Sequence, residues 1–279
     1  MEITAKMVSQ LREQTGAGMM ECKKALIESE GDESRARDLL RAKGKAGAEK
    51  RAGRAASEGV VAAASTAAGS ALVELNSETD FVARNEEFRA LAQCLADLAA
   101  ANDVTSAEDV LALTVDGKTA QSALDDVVTK LREKIVFRRC CRSAAAADKV
   151  VATYIHTVTS KIGVMLEMKG DPGNADLATL GRSVAMHIAA SKPEYVNREA
   201  VPADVVEHEK QVLAELTRNE GKPEAAIPKI VEGRIGKFFE RICLVEQPFV
   251  RDPSKKVGEL LKEAGAEATS FTLYVVGQE

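Results

Sequence analysis

"GVVAAASTAAGSALVELN", residues 59–76, decides the fold, because the chain writes the same design twice. Apolar stretches around Val60 and Leu72 flank a Gly/Ser/Thr turn, the pattern of a strand, a tight connection and a returning strand. About 90 residues later, "KVVATYIHTVTSKIGVMLEMKG" (149–170) repeats it, with "LVEL" (72–75) matching "MLEM" (165–168). A helix pattern follows each copy: "FRALAQCLADLAAA" (88–101) and "LATLGRSVAMHIAAS" (177–191). Leu91 aligns with Leu180 and Leu95 with Val184. A hairpin plus a packed helix, occurring twice, predicts an α+β protein with a core of two related subdomains.

The copies differ between second strand and helix. The second has "KGDPGNAD", ordinary turn chemistry. The first has "NSETDFVARNEE", which places Phe81, one of seven Phe in the chain, at the tip of a polar connection. The repeat does not require Asp80-Phe81 there, and a Phe on an exposed turn is often there for a partner to bury.

Residues 1–42 read as three short helices. "TGAG" (15–18) makes the first turn, and Asp32 is a plausible N-cap for the third helix, with Ala36, Leu39 and Leu40 facing inward. Met19 falls on the face of Cys22 and Leu26, the expected core stripe. Met20 shares a mixed face with Lys23, Lys24 and Ile27, and serves equally well as a core edge or as an adaptable partner anchor. The strip "RAKGKAGAEKRAGR" (41–54) carries six Lys/Arg against one Glu, a local charge of +5. It reads as a helix end and tether, which would leave the three-helix unit mobile. Docking to RNA or to an acidic protein surface is the alternative.

Residues 203–239 predict an antiparallel helical hairpin. Val205, Val212, Leu213 and Leu216 line one helix, and Ile227, Ile230, Val231, Ile235 and Phe238 line the other. Such stripes need either the core or a second copy, which leaves a homodimer through the hairpin open. Beyond it, "CLVEQPFV" and "SFTLYVV" read as strands around the short helix "VGELLKEAG".

At 279 residues, 45% hydrophobic and 29% charged, the chain is globular in composition with room for two domains. No stretch approaches the roughly 20 apolar residues of a membrane helix, and the N-terminus lacks a hydrophobic export segment, so a cytoplasmic location is expected. A net charge of −5 argues against bulk nucleic-acid binding. Five scattered cysteines form no zinc-like spacing. The vicinal pair Cys140-Cys141 in "IVFRRCCR" reads as strand, with a structural role favoured over a redox one.

No phosphate-binding loop occurs, and His156, His187 and His208 are isolated, His156 at mid-strand. No acid–base or nucleophile constellation assembles, so neither a catalytic residue nor a cofactor nor a metal is expected. The pattern is that of a binding protein, not an enzyme.

"LREQTGAGMMECKKAL", "NSETDFVARNEEF", "AMHIAASKP" and "EQPFVRDPSKKVGELLKE" together resemble bacterial elongation factor Ts, the guanine-nucleotide exchange factor of elongation factor Tu (EF-Tu). The resemblance covers essentially the whole chain in order. It implies a ubiquitin-associated-like (UBA-like) three-helix domain with basic linker (1–55), core subdomain 1 (56–145) and the first part of subdomain 2 (146–200). A coiled-coil insertion (201–238) and the rest of subdomain 2 (239–279) would follow.

The implied function is release of GDP from EF-Tu. By this resemblance Phe81 wedges into the GTPase domain with Asp80 beside it, and Thr79 and Val82 shape the tip. The shift would disturb the magnesium and phosphate side of the GDP site. Arg12, Met19, Met20 and Lys23 would dock the N-terminal module, Lys50 and Arg51 would add electrostatic contact, and His156 would face another domain of EF-Tu. Two departures stand out. Many relatives continue into a C-terminal helix where this chain ends at Glu279, so that contact is expected to be missing. Where the family often has Gly before "ENINIRR", this chain has Leu131-Arg132-Glu133-Lys134. An RNA- or ribosome-associated role for the 41–54 strip is the alternative, and a thiol enzyme at Cys140-Cys141 is a third.

Overall fold

The computed structural model describes residues 3–51, 53–115 and 117–278, the side chains of 44–51 excepted. By internal packing the chain forms two units. Unit 1 is Met1–Ala144 with Thr157–Ile162 and Tyr274–Glu279; unit 2 is Ala145–His156 with Gly163–Leu273. The architecture is α+β.

In unit 1, α1 (Ala5–Thr15) opens where Thr4 Oγ1 accepts the Met7 N–H and closes on Gly16 at φ +66°. That left-handed conformation suits Gly at low cost. Helix α2 (Met19–Glu28) follows directly, and Asp32 Oδ1 accepts the Arg35 N–H to start α3 (Glu33–Arg51). Val8, Leu11, Cys22, Leu26, Ala36 and Leu40 fill the small core between these helices. The third helix is not short, as the sequence suggested. It continues through the basic strip because Ala, Lys, Arg and Glu are strong helix formers, enough to carry Gly44 and Gly47 at about 1 kcal/mol each.

Strands β1 (Glu58–Ser65) and β2 (Gly69–Ser77) pair antiparallel, Val60 opposite Leu75 and Ala62 opposite Val73. After α4 (Asp80–Ala83), α5 (Glu86–Ala101) lies across both strands and buries Phe88, Leu91 and Leu95. Then come α6 (Ala107–Ala112), the small ladder β3 (Thr114–Val115) with β4 (Lys118–Thr119), and α7 (Ala120–Leu131). Strand β5 (Val136–Ala144) pairs with β2 and completes the order β1-β2-β5.

Central β2 is buried along its whole length and carries Glu74, whose carboxylate is fully buried. Arg139 Nε donates to it at 2.7 Å, and the N–H of Gly277 at 3.0 Å. Arg139 also stacks over the Tyr274 ring.

In unit 2, β6 (Lys149–Ile155) and β7 (Ile162–Lys169) pair antiparallel, with the last strand of the chain, Glu267–Val275, on the other edge of β7, and α8 (Ala175–Ser191) covers β6. Helices α9 (Ala203–Asn219) and α10 (Ile227–Ile242) pack together as the expected hairpin. The inner stripe of α9 differs from the expected one. Thr217 is buried, its hydroxyl donating to Leu213 O at 2.6 Å and accepting from Arg234 Nη1 at 3.2 Å, while Val212 and Leu216 are exposed. A hydroxyl satisfied on both sides tolerates burial, so the stripe turns by one residue.

"CLVEQPFV" is a 3-10 turn, Leu244–Glu246, followed by a two-residue strand, β8 (Pro248–Phe249), rather than one long strand. β9 (Asp252–Lys256), α11 (Val257–Glu263) and β10 (Glu267–Val275) close the chain. His156 lies just beyond β6, not at mid-strand.

Candidate partner-binding site

Two caps, back to back, set the angle of the Thr79–Val82 turn. Thr79 Oγ1 accepts the Val82 N–H at 3.4 Å to start α4, and Asn85 Oδ1 accepts the N–H groups of Glu87 and Phe88 to start α5. Successive helical side chains rotate by about 100°. Val82 and Ala83 therefore enter the core cluster that holds Phe88, while Phe81 turns outward and is 82% exposed. Asp80 stays beside it, its Oδ2 3.0 Å from Arg84 Nη2 one turn on. Val82 thus anchors the tip from inside; the exposed chemistry is Asp80 and Phe81.

The second exposed apolar feature is on the three-helix unit. Met19 is 57% and Met20 64% exposed, which corrects the placement of Met19 in the core. The buried part of α2 begins at Cys22, so its first turn overhangs the bundle. Both methionines line a groove of about 330 Å³ with Ile3, Val8 and Lys23. Arg12 is exposed on α1 and is not part of that lining. The side chains of Lys50 and Arg51 lie outside the described residues. His156, in unit 2, is half-buried with its Nδ1 3.1 Å from the Tyr154 hydroxyl.

Sequence reasoning missed the residues that fix these features in place. Arg132 ends α7 in the left-handed region at φ +59° and forms an ion pair with Glu21 of α2. Arg41 of α3 donates to Ser122 Oγ of α7 at 2.7 Å. Glu133 reaches Thr79. The one signal was Arg132 standing where glycine is expected after a helix. Among the described residues no group of His, Cys, Asp and Glu could hold a metal ion, and no helix is long and apolar enough to cross a membrane. Burial pushes the Cys140 thiol up to about 11, the opposite of an activated nucleophile.

Comparison with known proteins places the chain in a family. The sequence profile described as Elongation factor TS matches residues 78–278, beginning at the residue before Thr79. The elongation factor Ts of Alkalilimnicola ehrlichii is 48% identical over 280 residues, covering all of this chain and 93% of that protein. The elongation factor Ts of Halorhodospira halophila is similar to the same extent over the same coverage. The chain belongs to the elongation factor Ts family. It is a translation elongation factor.

Other motifs of this elongation factor Ts chain have a structural purpose. In "AMHIAASKP", His187 is buried and its Nδ1 accepts the Val250 N–H of "EQPFV" at 3.1 Å. A backbone N–H can only donate, so Nε2 carries the proton and gives it to Gln247 Oε1 at 2.8 Å. Burial holds this imidazole below its ordinary pKa, with the Gln247 bond opposing.

Proposed function

We propose that this chain binds EF-Tu·GDP and promotes GDP release so that GTP can rebind, with Asp80-Phe81 as the tip inserted into the GTPase domain. The observation that carries this is Phe81, presented to solvent on a doubly capped turn inside a family motif. The groove at Met19 and Met20, with Lys23 and Arg12, docks the N-terminal module on the same domain. Lys50 and Arg51 add charge, and His156 meets a different domain. In this reading the module (1–55) is UBA-like, residues 56–145 and 146–279 form two related subdomains, and the hairpin (201–238) is an insertion open to pairing with a second copy. The chain acts by binding alone and makes or breaks no covalent bond.

Exchange then follows from linkage. A factor that holds the nucleotide-free GTPase more tightly than the GDP form must weaken GDP by the same ratio. A roughly 10⁴-fold weakening needs about 5.5 kcal/mol of differential binding. One buried Phe supplies about 1.5–3 kcal/mol, so the groove and the second subdomain supply the remainder. Titration calorimetry of the chain against nucleotide-free EF-Tu and against EF-Tu with excess GDP tests this. The expected result is tighter binding to the nucleotide-free form, by the factor with which the chain weakens GDP. Equal affinity for both forms would contradict it.

A further inference from the structure

All three polar groups of Thr79 are engaged. Its N–H donates to Glu133 Oε2 at 2.9 Å and its hydroxyl to Glu133 Oε1 at 2.6 Å. Its carbonyl accepts from the Ser77 hydroxyl at 3.0 Å and from the Ala83 N–H at 3.2 Å. A threonine hydroxyl has a single proton. With that proton on Glu133, a lone pair remains for the Val82 N–H, so the carboxylate selects the rotamer that caps α4. A second bond runs the other way: Glu78 Oε1 accepts the Lys134 N–H at 2.6 Å. Arg54 Nη1 holds the same Glu78 carboxylate at 3.2 Å, and Lys134 Nζ returns to the Arg54 carbonyl at 2.8 Å. Residues 78–79 and 133–134 thus exchange carboxylates across two connections that are far apart in sequence. The second connection is itself fixed, by the left-handed Arg132 on one side and buried Ile135 on the other.

We infer that Glu133 is the positioning residue of the Phe81 tip, holding Thr79 so that the turn displays Phe81 at a fixed angle. This rests on Phe81 being the inserted side chain. A wedge displaces a partner only if its own base yields less than the partner does, and a base ordered in advance removes that ordering cost from the insertion step, which follows the encounter. Glu133 touches no partner in this role.

The test uses the full-length chain with Glu133→Ala, which removes both bonds, and Glu133→Gln, which keeps one carbonyl acceptor. Release of a fluorescent GDP from EF-Tu is followed across chain concentrations. For Glu133→Ala the maximal release rate should fall roughly tenfold, the size of one lost charge-assisted hydrogen bond. The half-saturating concentration should move by less than about twofold, since uniform binding is untouched. Glu133→Gln should lie between, and Thr79→Val combined with Glu133→Ala should add little to either alone.

Amide hydrogen exchange at Val82 and Ala83, measured without partner, should quicken in Glu133→Ala. Unchanged exchange and an unchanged rate would overturn the inference. Faster exchange with an unchanged rate would overturn it too, leaving a clamp that is merely structural. If the unaltered chain fails to accelerate release while exchange responds to Glu133→Ala, the proposed function itself falls and takes the positioning role with it.

Discussion

Burying a Phe side chain contributes about 1.5–3 kcal/mol. Phe81 forgoes that by standing exposed, while its neighbour Val82 collects the burial that holds the turn down. Phe81→Ala should therefore leave the denaturant midpoint nearly unchanged, within about 0.5 kcal/mol, and a larger loss would mean that Phe81 packs on its own chain. His187 gives the opposite kind of residue. Unfolded, its imidazole protonates near pH 6.5; folded, burial delays protonation to lower pH. In that window the unfolded state holds the extra proton, so stability is complete above about pH 6.5 and declines as pH falls. Urea midpoints at pH 5 and pH 8 should show this slope in the natural chain and a smaller one in His187→Gln. The exposed Phe was legible because the matching turn of the repeat does without it. Met19 was not, because periodicity gives the direction of a side chain but not how far along the helix the core extends. Glu133 was hidden for another reason: its partner lies in a distant connection.

Among the elements, both hairpins and the helices following them could be read from apolar runs, turn residues and their repetition, and Cys140-Cys141 lies in a strand as expected. α3 was longer than read because intrinsic propensity outlasts two glycines. The inner stripe of α9 was misplaced because a satisfied Thr217 replaces an apolar residue, which no hydrophobic pattern reveals. Helix α8 offers a test in which propensity and packing disagree. Gly181 sits mid-helix, where alanine is normally favoured by about 1 kcal/mol. A Cβ there would press on Met168 Cε and come within 2.9 Å of Ala152 Cβ on the sheet beneath. Ala152 cannot swing aside, so Gly181→Ala should lower stability by about 1–3 kcal/mol in chemical denaturation. A stabilised variant would show that the α8–sheet spacing is looser than described.

On the scale of the whole chain, one buried carboxylate joins distant sequence within unit 1. Glu74 holds Arg139 and the backbone of Gly277, so Glu74→Ala would leave the Gly277 N–H without its acceptor and Arg139 with only the Gln278 carbonyl and the Tyr274 ring. Leaving a buried donor unsatisfied costs about 1–3 kcal/mol, and an equilibrium unfolding curve should show it; an unchanged midpoint would mean that solvent reaches the site. The proposed function is spread in the same way. Under the proposed function, the roughly 5.5 kcal/mol that a 10⁴-fold weakening of GDP demands exceeds what one buried Phe supplies, so the Phe81 tip would direct binding energy gathered elsewhere. Stopped-flow release of a fluorescent GDP from EF-Tu, with the natural chain and with Asp80→Ala/Phe81→Ala, tests that division most directly. Strong acceleration is expected from the natural chain and little from the double variant, although the variant still binds EF-Tu. Equal acceleration by both would contradict it.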